Sequence, residues 1–480
     1  MLFHTQEFLI FFAALITTLA LVRNDVARKV ILTGASYFFY MWWKPLFVLP
    51  LLATTFIDYT VARMLEFEER LARRRALLAF SLVANLGLLA YFKYFNFFAE
   101  NVVAIAHAIG FDFSPALAQL ILPVGISFYT FHTMSYTIDV YRREIPVCRS
   151  ALTFALFITF FPVLVAGPIL RAKQFIPELQ KRIRLTLTPE IVLLIMRGLA
   201  KKVLVADNIG KFVDGVFAAP QRWPSVIIWI ATISFAVQIY CDFSGYSDIA
   251  RGLARVFGLE IPLNFDRPYA ARNPSEFWRR WHISLSTWLR DYLYIPLGGN
   301  RDGAARTYRN LMITMLLGGL WHGASWNYVL WGAMHGTMLA VHRAWSSRRS
   351  HHRLPTTDYR LPRAKHALSW LAMQYCVLLT WIAFRVTDTS KMLIAMRKFI
   401  VFDFNFAIFD LGLGALSFGF TLVVVAAFII VHATSWRFGD LDQRIARLPL
   451  PAAAAVCFVC GALFVVFWPL TEKPFIYFQF

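Results

Sequence analysis

The residues best placed to do chemistry lie in one segment, Gly318-Gly-Leu-Trp-His322-Gly-Ala-Ser-Trp-Asn-Tyr-Val-Leu-Trp-Gly-Ala-Met-His335-Gly336. A neutral imidazole is the side chain suited to accept a proton near pH 7, and burial keeps it neutral and available as a base. The glycines around His322 permit close approach of a ligand or of another backbone, and the tryptophans supply a dry, rigid wall. Composition alone favours a buried, hydrogen-bonded core group for either histidine. Spacing by itself does not name a reaction.

Two further polar blocks precede this segment. Tyr240-Cys-Asp242-Phe-Ser244-Gly-Tyr-Ser-Asp248 follows directly on an apolar run, so its carboxylates and hydroxyls must find partners near bilayer depth, either in a buried network or on a substrate. Asn273-Pro-Ser-Glu276 has the N-cap, first-position Pro and third-position Glu of a helix start. The predicted helix carries Trp278, Trp281, Leu285, Trp288 and Tyr292 on one face, with Arg279, Arg280 and Arg290 elsewhere. It is too polar to span and is expected to lie in the interface or dip into the protein. His282 falls one turn from Trp278 and from Ser286, where a structural role and a chemical one are both open.

The elements that must hold these groups are read from composition. Of the 480 residues, 58% are hydrophobic and only 16% charged, which excludes a soluble enzyme and a disordered chain. Apolar stretches follow Phe8–Val22 at about 30–43, 46–62, 76–92, 115–138, 151–170, 190–209, 225–243, 310–342, 367–386, 411–432 and 452–470, enough for roughly ten to twelve spans. The first stretch lacks a positive region before it and a small-residue cleavage site after it, so it is expected to be a retained span with its N-terminus outside. The net charge of +20 comes from short blocks between apolar runs: Arg23–Lys29, Arg70–Arg75, Arg142–Arg149, Arg171–Arg184 and Arg343–Lys365. That pattern reads as membrane topology and anionic headgroups, not nucleic acid. The stretch near 190–209 contains Arg197, Lys201 and Lys202, and ionisable groups at that depth are expected to line a site. The five cysteines have no metal or disulfide spacing; Cys457 and Cys460 form a C-x-x-C inside an apolar run and are expected to be packing residues. His351 and His352 belong to a solvated loop.

Motifs along nearly the whole length bring in a family. Phe92-Lys-Tyr-Phe-Asn-Phe97, Leu122-Pro-Val-Gly-Ile-Ser-Phe-Tyr-Thr-Phe131, Ser135-Tyr-Thr-Ile-Asp-Val-Tyr-Arg142, Ala166-Gly-Pro168, the 242–248 block, Asn273 to Ser286, Arg290-Asp-Tyr-Leu-Tyr-Ile-Pro-Leu-Gly-Gly-Asn300, Trp321-His-Gly and the terminal Phe475-Ile-Tyr-Phe-Gln-Phe480 together resemble the membrane-bound O-acyltransferase (MBOAT) family, in its bacterial alginate O-acetylation branch. The resemblance implies an all-α polytopic membrane protein, a single domain over 1–480 whose most motif-rich part is 240–340. It implies a ring of roughly eleven or more transmembrane helices with short embedded or re-entrant helices around a central funnel or tunnel.

In that setting His322 matches the family's catalytic histidine and His282 a second histidine near it. The candidates to line the tunnel are Trp281, Ser286, Trp321, Ser325, Trp326, Asn327, His335, Asp242 and Ser244. Arg279, Arg280 and Arg290 could attract the phosphates of acetyl-CoA, the expected acyl donor; no bound cofactor and no metal are expected. His322 would be the general base on an incoming hydroxyl. The resemblance further implies the bacterial inner membrane and a periplasmic or membrane-tethered SGNH-like acetyltransferase partner with a Ser-His-Asp type site. That partner would pass the acetyl group to an exopolysaccharide. A D-alanyl or other acyl transferase, and a sugar transporter without chemistry, are the alternatives.

Overall fold

A computed structural model describes residues 1–112, 120–350, 363–404 and 415–438, with isolated positions beyond, among them Phe475 and Ile476. Every regular element among the described residues is helical. Among the described residues, five helical stretches are long and apolar enough to cross a membrane: Pro45–Phe67, Leu71–Ala108, Ser225–Val256, Lys365–Arg385 and Phe418–Ser435. The expectations for Cys457, Cys460, His351 and His352 lie outside the described residues.

The chain divides into two compact units, Met1–Ile195 with Ser247–Pro262, and Met196–Tyr246 with Leu263–Phe480. The first contains α1 (Gln6–Leu21), α2 (Asp25–Met41), α3 (Val48–Phe67), α4 (Leu71–Leu89), α5 (Phe95–Ala108), α6 (Ile126–Tyr141), the short α7 (Ala151–Thr159), α8 (Phe161–Leu164) and α9 (Ala172–Gln180), and most of α10 (Pro189–Leu199). A π-helical turn over Ala90–Tyr94 joins α4 to α5. The stretch at 151–170 is not one continuous helix: the chain turns at Phe160, with Pro162 early in α8, and both pieces are buried. Arg74, itself buried, donates to the carbonyls of Leu65 (2.7 Å), Glu68 (3.0 Å) and Tyr141 (2.7 Å). Helix ends leave carbonyls without intrahelical donors, and this one guanidinium satisfies those of α3 and α6.

The second unit contains α11 (Asp207–Ala218), the first part of α12 (Ser225–Val256), α13 (Pro274–Arg280), α14 (Ile283–Leu289), α15 (Gly303–His322), α16 (Trp326–Ser350), α17 (Arg363–Arg385), α18 (Thr389–Ile400) and α19 (Ala415–Phe438). The stretch at 310–342, uneven in composition, is not one span. It turns back at Gly323–Ser325, making α15 and α16 a helical hairpin. Small residues allow this: a side chain at Gly319 would run into the Tyr328 carbonyl, and one at Gly332 into that of Met315. The helices therefore pack backbone against backbone, as small residues permit in membrane proteins.

Candidate active site

The helix expected after Asn273 starts where its capping residues require. Asn273 Oδ1 accepts from the Glu276 amide at 2.9 Å, and the Glu276 carboxylate turns back to accept from the Arg272 amide at 3.0 Å. It does not run on to Tyr292 unbroken. α13 ends at Arg280, α14 begins at Ile283, and between them His282 has φ 43°, the left-handed region that is costly for a residue with a Cβ. At this break His282 is fully buried.

Asn264 holds it there. Asn264 Oδ1 accepts from the Ser284 amide (3.1 Å) and from Ser284 Oγ (2.9 Å), and the same oxygen lies 3.2 Å from His282 Nδ1. A backbone amide can only donate, so the Asn264 atom is an oxygen and Nδ1 must carry the proton toward it. Nε2 is thereby the accepting nitrogen of a neutral ring. Burial favours that neutral form, pushing the pKa of His282 down to about 3.

His322 is the last residue of α15, at the tip of the hairpin, and is 4% exposed. Its ring centroid lies 6.4 Å from that of His282, 5.0 Å from Trp321, 5.0 Å from Trp331 and 5.2 Å from Phe384. Trp331 continues the row, with His335 4.6 Å beyond it. His335 is fully buried against Phe277 and Trp278, and neither ring nitrogen has a hydrogen-bond partner among the described residues. Trp281 closes the other side, 4.9 Å from Trp381 and 5.0 Å from Phe265. Three imidazoles thus stand in an aromatic enclosure assembled from α13 to α17.

The remaining candidates occupy distinct places. Ser286 donates to the Trp281 carbonyl at 3.1 Å, fixing the backbone at the break. Ser325 caps α16 through the Asn327 amide (3.3 Å). The Asn327 side chain donates to the carbonyls of Val386 (2.7 Å) and Thr387 (3.0 Å) and accepts from Thr389 (2.9 Å), tying the hairpin tip to the end of α17. Trp326 is 60% exposed, and Ser244 is buried. Arg280 meets Glu276 (3.1 Å) and Asp266 (3.6 Å), and Arg290 meets Asp291 (2.6 Å); Arg279 is exposed.

Asp242 belongs to a buried ionic triad. Lys202 Nζ lies 2.7 Å from Asp242 and 2.9 Å from Asp207, within a π-helical turn over Ala200–Ala206. The second Asp242 oxygen accepts from the Ile476 amide (2.8 Å), and Lys202 sits 4.6 Å over the Phe475 ring, so Phe475 and Ile476 dock on the same triad. The next residue along α12, Phe243, places its ring 4.6 Å from His282. Asn264, Phe243, Trp381 and Phe384 were not singled out by the sequence, whereas Trp331 is one of the tryptophans expected to wall His322. Asn264 sits in a loop with no local signal, and the aromatics are indistinguishable from the many other core rings.

Residues 135–385 match the sequence model of MBOAT, the membrane-bound O-acyltransferase family. The chain belongs to this family. It is 36% identical over 513 residues to the protein of Azotobacter vinelandii described as "Probable alginate O-acetylase AlgI", with all of both chains covered. The protein of the same description from Pseudomonas aeruginosa is 39% identical over 392 residues, covering 81% of this chain and 72% of that one. The peptidoglycan O-acetyltransferase of Helicobacter pylori is 34% identical over 409 residues, covering 79% and 75%. The MBOAT chain is a multi-pass membrane protein and an acyltransferase.

Proposed function

We propose that this acyltransferase takes an acetyl group from cytoplasmic acetyl-CoA and delivers it toward the O-acetylation of an exopolysaccharide. The transfer would run through a periplasmic or membrane-tethered SGNH-like partner that carries the group to sugar hydroxyls. The observation that carries the reading is the pair of imidazoles, His322 at the hairpin tip and His282 at the α13–α14 break, with ring centroids 6.4 Å apart inside an aromatic wall. The protein lies in the bacterial inner membrane on this reading. Both compact units serve one acyltransferase domain, with a ring of roughly eleven spans around a funnel that lets donor and acceptor approach from opposite faces.

His322 acts as general base. It takes the proton of the acceptor hydroxyl as the oxygen attacks the thioester carbonyl, and collapse of the tetrahedral adduct expels the CoA thiolate, which receives that proton. His282, fixed with its proton on Nδ1, orients or relays beside it. The aromatic enclosure keeps water from competing for the thioester. Trp281, Trp321 and His335 line the enclosure, and Asp242, Ser244, Ser286, Ser325, Trp326 and Asn327 support the elements around it. Acetylated polymers and peptidoglycan named for the relatives support an O-acetyl acceptor.

The deciding experiment measures CoA released from acetyl-CoA by the purified protein in lipid vesicles, with its partner and an acceptor. Release that depends on His322 is expected. Polymer decoration that continues undiminished in His322→Ala would discard the mechanism in favour of transport or scaffolding. A requirement for an acylated carrier protein in place of acetyl-CoA would point to a D-alanyl-type donor.

A further inference from the structure

The basic side chains around α13 are not equivalent. Arg280 and Arg290 already face carboxylates, and Arg272 lies 3.9 Å from Glu276 and contacts His366. Arg279 is exposed on α13 and has no carboxylate within ion-pair distance among the described residues. Arg343, on α16, donates to the neutral amide oxygen of Asn300 (3.3 Å) and has no carboxylate partner among the described residues. His342 stands between them: its Nδ1 lies 3.4 Å from Ser275 Oγ, one turn before Arg279 on α13, and the Arg279 charge bears on its ring. Two arginines without carboxylate partners among the described residues, Arg279 on α13 and Arg343 next to His342 on α16, thus belong to the two helices that meet at Ser275 and His342. Such arginines are complementary to a phosphate ester, which takes bidentate hydrogen bonds from a guanidinium.

We infer that Arg279, His342 and Arg343 form a seat for the phosphates of a CoA-type thioester donor. This rests on the acyl-donor reading above and adds the place where the donor's head is held. The spacing fits. Trp331, 5.0 Å from the His322 ring, precedes His342 by eleven residues of α16, about 16 Å of helix at 1.5 Å per residue. An extended pantetheine arm bridges a span of that order between the phosphates and the sulfur. Arg343 also opens the basic block Arg343–Lys365, and blocks of this kind are retained on the cytoplasmic side, the compartment that supplies the thioester. Inner-leaflet lipids present the same phosphate chemistry, so the test must separate the two sources.

The full protein in vesicles with and without phosphatidylglycerol is assayed with acetyl-CoA and with S-acetylpantetheine, which keeps the thioester and arm but lacks phosphate. Wild type is expected to prefer acetyl-CoA in kcat/KM. Arg279→Gln and Arg343→Gln are each expected to reduce that preference roughly tenfold, through KM, with Arg279→Lys retaining part of it. High salt is expected to erode the preference in wild type more than in the variants. A preference unchanged by both substitutions would overturn the seat while leaving the donor reading standing. An equal fall for both donors that disappears when phosphatidylglycerol is omitted would assign the residues to lipid and overturn it as well. If wild type released no CoA from acetyl-CoA, the seat would fall together with the donor reading.

Discussion

The two units each bury polar groups among apolar helices, and Asp58 in the first and His322 in the second are treated in opposite ways. In the first, Asp58 on α3 accepts from Ser81 and Asn85 on α4 (Asn85 Nδ2 at 2.7 Å) and from Thr137 on α6 (2.7 Å), while Thr133 donates to Asn85 at 2.9 Å. The carboxylate is completely enclosed and surrounded by donors from three helices. In the second, His322 and His335 are surrounded mainly by rings: Trp321, Trp331, Phe384, Phe277 and Trp278. A polar group saturated by hydrogen bonds fixes helices in register, because breaking any bond leaves an unsatisfied partner in a low-dielectric interior. An imidazole walled by aromatic faces keeps its capacity to exchange a proton. Burial alone therefore does not mark a site; the chemistry of the neighbours does.

The contrast is most sharply broken or upheld at His322. Its replacement by Ala is expected to lower turnover by up to about 10⁴-fold with little change in thermal unfolding. Asp58→Ala is expected to do the reverse. A comparable loss of turnover per folded molecule in Asp58→Ala would erase the distinction between the two regions. The ionic triad comes next: Lys202→Met strands two buried carboxylates and should cost about 3–5 kcal/mol in stability, read by chemical denaturation in detergent. Adding Asp207→Asn and Asp242→Asn should recover much of it, and no recovery would mean that the lysine acts other than through its charge.

Asp58→Ala itself should cost about 1–3 kcal/mol, since its donors lose an acceptor. A thermal midpoint equal to wild type would show the knot to be dispensable. The smallest effect concerns pH. The folded pKa of His282, about 3, lies below the roughly 6.5 of the unfolded chain, so between these values only the unfolded state binds the proton. Its contribution to stability is present above about pH 6.5 and declines as pH falls. His282→Phe should therefore show a shallower loss of thermal stability from pH 7 to pH 5 than wild type, and an identical slope would contradict the buried neutral ring.

The sequence made part of this legible because some signals are local. Apolar runs of sufficient length, positive blocks between them, the Asn273–Glu276 cap and the Trp321-His-Gly segment each need only near neighbours in the chain to be read. The hairpin at Gly323–Ser325 and the break at His282 were less legible. A long apolar stretch reads as one span whether or not it folds back, and a left-handed histidine has no compositional signature.

Sequence alone determined that this chain crosses a membrane, that it is helical, and that His282, His322 and His335 fall in one motif-rich block from 240 to 340, since residue composition, short-range periodicity and the linear order of residues set those properties. Tertiary structure alone decided that Asn264 sets the His282 tautomer, that Phe384 walls His322, and that Asp242 answers to Lys202 and Ile476. Hydrogen bonds and ring contacts between residues tens to hundreds of positions apart exist only once helices pack, and no local pattern in the chain encodes them.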